Sequence, residues 1–128
     1  MINGKKWVGF LLMELYALVL ASMQFLHSVK TDEAKYLLNI PYPHPPLARF
    51  ILHLTDSWPF QEFFWRFVFA SLCIQAVRLV WKLSHDLKPK TRFALSILWL
   101  CNTAIIFQAG SIMMAPLTAL EALSLIHI

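Results

Sequence analysis

Long apolar runs separated by polar segments set the pattern of this chain. Residues 7–27, WVGFLLMELYALVLASMQFLH, carry a single charge, Glu14. A second run, residues 63–83, is interrupted by Arg66 and Arg78 near its ends, where long side chains reach the headgroups, and closes with Lys82. A third, residues 93–114, holds Asn102 and Gln108 but no charge. Each approaches the roughly 20 apolar residues that a helix needs to cross a hydrocarbon core of about 30 Å. A fourth run opens after Pro116 and reaches Ile128, too short to span. The pattern predicts an all-α, multi-pass transmembrane protein.

The polar stretch between the first two runs, residues 28–62, is organised. Pro41, Pro43, Pro45 and Pro46 hold its middle extended, because each fixes its own φ and pushes the preceding residue out of the α region. Pro46 is also placed to start a helix, where a missing N–H costs nothing. From there Leu47, Phe50, Ile51 and Leu54 recur at helical spacing, with Arg49, His53 and Thr55 on other faces. The expectation is an amphipathic helix over residues 46–55 lying in the membrane plane. Trp58 and Trp65 flank it where an interfacial aromatic belt would place them.

Composition strengthens this reading. Hydrophobic residues make up 59% of the chain and charged ones 14%, against roughly 45–50% and 25% in soluble domains. Mean hydropathy is +0.60. Eleven Lys and Arg against seven Asp and Glu would suggest a polyanionic partner in a soluble protein. Here the excess is topological. Lys5 and Lys6 precede the first run, and Lys82, Lys88, Lys90 and Arg92 cluster between the second and third, so both segments belong in the cytoplasm. The insert, where Lys30, Lys35 and Arg49 are offset by Asp32, Glu33, Asp56 and Glu62, then lies outside. The start resembles a signal peptide but lacks a small-x-small cleavage site, which predicts a retained anchor. Cys73 and Cys101 sit inside apolar runs with no CxxC spacing and read as small buried hydrophobes. The last six residues, LSLIHI, resemble translated adapter sequence, so His127 is given no functional weight and a missing C-terminal part is expected. No Gly-rich phosphate loop, Ser-His-Asp order, HExxH or paired CxxC occurs.

Asp32-Glu33 just past the first run, His44-Pro45-Pro46-Leu47 opening the amphipathic helix, and Arg66 at the outer start of the second run occur in an order that resembles the N-terminal part of the GT-C membrane glycosyltransferases. The likeness is to the protein-mannosyltransferase and aminoarabinose-transferase branch and covers nearly the whole chain. It implies an enzyme of the cell membrane, bacterial or archaeal, that moves a sugar from a polyprenyl-phosphate donor to a protein, lipid or glycan acceptor on the external face, usually with inversion. Its expected partners are that donor, the membrane lipids and the acceptor; five Trp, ten Phe and three Tyr against three Gly argue separately against nucleic-acid binding.

The resemblance also assigns roles. Asp32 matches the catalytic acid position, where a carboxylate takes or orients the proton of an acceptor hydroxyl, work worth typically 10²–10⁴-fold in rate. Glu33 matches its neighbour and is placed to orient Asp32, bind a divalent cation or face water. Negative charge on the leaving phosphate calls for preorganised cations, a role for Arg66 and, behind it, Arg49 and His44. One departure bears on metal. The related enzymes often carry another acid in the second external loop, where this chain has Met113-Met114 before Ala115-Pro116-Leu117, and Glu121 falls about a turn and a half later. No metal ligand set is therefore assigned. The competing reading is a non-catalytic multi-pass subunit whose insert docks a partner through residues such as Tyr36 and Tyr42. Glu14, about 10 Å into the first run at 1.5 Å per residue, is expected to be protonated or paired with a polar group on another helix, and Asn102 and Gln108 to tie helices together.

Overall fold

The computed structural model describes residues 4–27, 31–38, 40 and 46–112. His44, Tyr42 and the expected fourth run lie outside the described residues, as do the side chains of Asp32 and Arg49. The described residues form helices and turns with no strand. Seven helices follow one another: α1 (Gly4–Phe25), α2 (Thr31–Leu37), α3 (Pro46–His53), α4 (Gln61–Gln75), α5 (Val77–Leu83), α6 (Pro89–Leu100) and α7 (Thr103–Gln108).

Two helical runs are long and apolar enough to cross a membrane, Trp7–Phe25 in α1 and Gln61–Leu83 in α4 and α5. The second is continuous because Ala76, between α4 and α5, keeps helical angles (φ −57°, ψ −20°) and its N–H still donates to Leu72 O at 3.1 Å. These helices pack along each other through small and branched residues. Ala17, Leu20 and Ala21 of α1 meet Ala70, Cys73 and Ile74 of α4, and the alanines let the backbones approach. Most of the remaining α1 surface is exposed hydrophobic side chain, Leu11, Leu12, Leu15 and Val19 among it.

The third apolar run departs from expectation. It is not one helix but two, α6 and α7, separated by Cys101 and Asn102. Asn102 adopts extended angles (φ −66°, ψ 123°), and its side chain accepts a hydrogen bond from the Ala104 N–H at 2.9 Å, so it caps α7 and does not bridge to a neighbour. Cys101 is exposed, unlike the buried Cys73. The pair still runs alongside the α1/α4 core: Tyr16 Oη donates to Leu100 O at 2.9 Å, Trp99 Nε1 to Cys73 O at 3.1 Å, and Gln24 Nε2 to Phe107 O at 3.0 Å. Gly110, just beyond α7, sits so close to α1 that a Cβ there would meet Gln24 Cγ at 2.8 Å and Leu20 O at 3.2 Å.

Basic residues gather at the opposite end. Pro89 starts α6 after Lys88, and Arg92 lies 4.2 Å from the Trp81 ring centroid while its Nη2 donates to Trp81 O at 2.8 Å. Arg78 lies over Phe10 near the start of α1.

Candidate functional site where the insert meets the long helices

The insert between the long helices folds as two short helices against the start of α4. The sequence pattern anticipates α3; the structure ends it at His53, with turns through residues 54–57. Its outward stripe is apolar. Phe50 and Leu54 are each 64% exposed and Ile51 is 39% exposed, whereas Leu52 is buried beside Tyr36, Phe69 and Ile112. The face that would enter lipid is thus turned away from the protein, as a helix in the membrane interface requires.

Helix α2 was not anticipated. Its signal was present in the acidic first turn, Asp32-Glu33, followed by Ala34 and Leu37, since carboxylates near a helix N-terminus complement its dipole. Glu33 on this helix and Arg66 on α4 are both about 1% exposed and form a short ion pair, Arg66 Nη1 to Glu33 Oε1 at 2.9 Å. Arg66 Nε donates to Glu62 Oε1, also at 2.9 Å, and Nη1 donates further to Gly110 O at 3.0 Å. The Ile112 N–H donates to Glu33 Oε1 at 2.9 Å. Three chain segments, α2, the first turn of α4 and the stretch at Gly110, therefore converge on one guanidinium, and Ile112 of that last stretch joins through Glu33.

This geometry bears on the expected roles. Glu33, expected to steer Asp32, bind a cation or face water, instead faces Arg66 and Ile112. Arg66, expected to face a donor phosphate, points its Nε and Nη1 at protein acceptors, which makes it the residue that seats α2 on α4. Glu62 and Gly110 belong to this arrangement and were missed as site residues; the i,i+4 spacing of Glu62 and Arg66 was the available signal. Among the described residues no cluster of His, Cys, Asp and Glu could hold a metal ion.

A second network fastens α3 to α4. Gln61 Nε2 donates to Leu52 O at 2.9 Å and to Asp56 Oδ1 at 2.8 Å, and Trp65 Nε1 donates to Thr55 Oγ1 at 2.7 Å. His53 Nδ1 lies 2.7 Å from Asp56 Oδ2. The hydrogen bonds from His53 and Gln61 hold the Asp56 carboxyl below the usual carboxylate range. Beside this corner Leu18, Trp58, Phe60, Phe63 and Phe67 line an open, apolar groove of about 510 Å³. Comparison with known proteins adds no relative: no protein-family model, curated protein or solved structure matches the chain.

Proposed function

We propose that this chain belongs to a multi-pass membrane glycosyltransferase of the GT-C kind, with its N-terminus in the cytoplasm and the corner built by α2, α3 and the start of α4 on the external face. The observation that carries the reading is the seating of α2. A helix bearing an acidic pair directly after the first long helix is locked by the buried Glu33 and Arg66 pair to the outer end of the second. A polyprenyl-phosphate sugar presents its anomeric carbon at the membrane surface, so its catalytic groups need a fixed platform at that depth. The outward apolar stripe of α3 supplies an anchor in the same plane, and the apolar, aromatic lining of the groove beside it suits an isoprenoid chain.

In this proposal Asp32 takes or orients the acceptor proton, and Glu33 and Arg66 position the helix that carries it. Phosphate contacts are assigned to Arg49 and His44, with Arg66 contributing only if Glu33 or Glu62 releases it. The docking-subunit reading loses one of its two tyrosines, because Tyr36 is 3% exposed and packed beneath α3.

The test is transfer of labelled sugar from polyprenyl phosphate by membranes carrying the whole gene product. Asp32→Asn should lower kcat by on the order of 10²–10⁴ with expression and donor binding intact. Transfer at the unsubstituted rate by that variant would refute the catalytic assignment.

A further inference from the structure

Glu14 is the only charged residue between Trp7 and His27, and the corner described above does not use it. It lies seven residues past Trp7, about 10 Å along the helix, and meets α4 ten residues past Gln61, about 15 Å from that end. The meeting point is near the middle of a core of about 30 Å. Ser71 Oγ donates to both carboxylate oxygens, at 2.9 and 2.8 Å, and Gln75 Nε2 donates to Oε1 at 2.7 Å. The oxygen of that amide, Gln75 Oε1, is buried with no hydrogen-bond partner among the described residues.

These donors are neutral, so they orient the carboxylate without cancelling its charge. The charged and titratable groups on the packed helices are engaged elsewhere: Arg66 with Glu33 and Glu62, Arg78 over Phe10, Tyr16 on Leu100 O, and Cys73 in the core. A glutamine at position 14 could make the same contacts between α1 and α4 with no charge to bury in lipid. Helix association alone therefore does not explain the acid, and three oxygen-bearing side chains, Glu14, Ser71 and Gln75, meet there near the middle of the core.

We propose that Glu14, Ser71 and Gln75 form an intramembrane binding site for one small monovalent cation, a proton or a sodium ion. A proton on Glu14 would donate to Gln75 Oε1 after the amide turns about its last torsion, while Ser71 keeps donating to the other carboxylate oxygen. A sodium ion would take the carboxylate, Ser71 Oγ and Gln75 Oε1, all oxygen donors of the kind hard cations prefer. Either neutralises the acid and turns the amide oxygen toward it, with Nε2 moving to the place the oxygen now occupies. The inference rests on the transmembrane placement of α1 and α4 and is independent of sugar transfer, so its test leaves the glycosyltransferase reading untouched.

The experiment treats the full chain in lipid vesicles with dicyclohexylcarbodiimide, an apolar reagent that modifies neutral carboxylic acids in the membrane, and locates adducts by mass spectrometry. An adduct on Glu14, absent from Glu14→Gln, is expected. If sodium chloride but not potassium chloride slows its formation about tenfold or more, the ion is sodium; if only rising pH slows it, the ion is a proton. Gln75→Leu should weaken whichever dependence is found by about tenfold, the equivalent of roughly 1.4 kcal/mol. Infrared difference spectra should show a carboxylic C=O band, or a sodium-dependent carboxylate band, that Glu14→Gln removes. Absence of both the adduct and any Glu14-dependent band across pH and sodium concentration would overturn the proposal and leave Glu14 as a fixed helix contact.

Discussion

Replacing Glu33 by Ala perturbs the most connected point of the structure. The substitution leaves buried Arg66 with Glu62, itself 31% exposed, as its remaining ion partner, and removes the acceptor of the Ile112 N–H. Breaking a buried pair from one side costs about 3–5 kcal/mol, because the surviving charge loses its counterion in a low dielectric. An orphaned buried N–H adds about 1–3 kcal/mol. Partial relaxation of Arg66 toward Glu62 works against both, so a net loss of about 3–5 kcal/mol is expected. Removing both partners should cost less. The double variant Glu33→Leu, Arg66→Met takes both charges away together, and since such replacements of buried pairs are often neutral or stabilising, the remaining cost is about the 1–3 kcal/mol of the orphaned Ile112 N–H. Reversible denaturation in detergent micelles, followed by tryptophan emission, gives the four free energies of the cycle built from these two leucine and methionine substitutions. Trp65 is a useful reporter because it packs at this corner. A coupling below about 1 kcal/mol, the value of an exposed pair, would refute the argument that α2 is seated by a buried ion pair.

Gly110→Ala should destabilise the chain by about 1–3 kcal/mol, since its Cβ would meet Gln24 Cγ at 2.8 Å and strain the segment that offers a carbonyl to Arg66; Gly9→Ala, with nothing within 4 Å, should be neutral or stabilise by up to about 1 kcal/mol in the same assay. Asp56 has a depressed carboxyl in the folded chain, so its contribution to stability is complete above the ordinary carboxylate range and disappears as pH falls through the lowered value; an acid-side stability profile should show that loss, and Asp56→Asn should flatten it. Spin labels placed along residues 47–55 should report apolar quencher access that peaks at positions 50, 51 and 54 and is least at 52; uniform access would place α3 in water.

The long helices and α3 were legible because burial in a core or in lipid leaves a periodic trace in sequence. The apolar runs around Glu14 and Arg78 announced two membrane-length helices, and the spacing of Phe50, Ile51 and Leu54 announced both the helix and its outward face. The third run looked the same by composition, yet Asn102 competes locally for the Ala104 N–H and ends one helix to begin another. Hydropathy averaged over a window cannot register such a single hydrogen bond. At the candidate site the residue types were visible but their pairing was not. Arg66 near the end of an apolar run is an anchor by default, and nothing in the spacing of Glu33 and Arg66, thirty-three residues apart, says that they meet.

That pairing changes what an adjacent pair of acids can do. Two neighbouring carboxylates in a loop suggest a shared task, whether metal binding or one acid steering the other. Glu33 is instead committed to Arg66 and to the backbone of Ile112. If Asp32 is the catalytic acid proposed above, Glu33 fixes the platform that carries it. Loss of Glu33 should therefore reach turnover through the fold, lowering stability and activity together. Loss of the Asp32 charge should reach turnover alone. A comparison of Asp32→Asn and Glu33→Gln for both denaturation and sugar transfer separates the two. Equal stability losses in both variants would mean that the acids act as one structural unit, and would remove the reason for assigning catalysis to either.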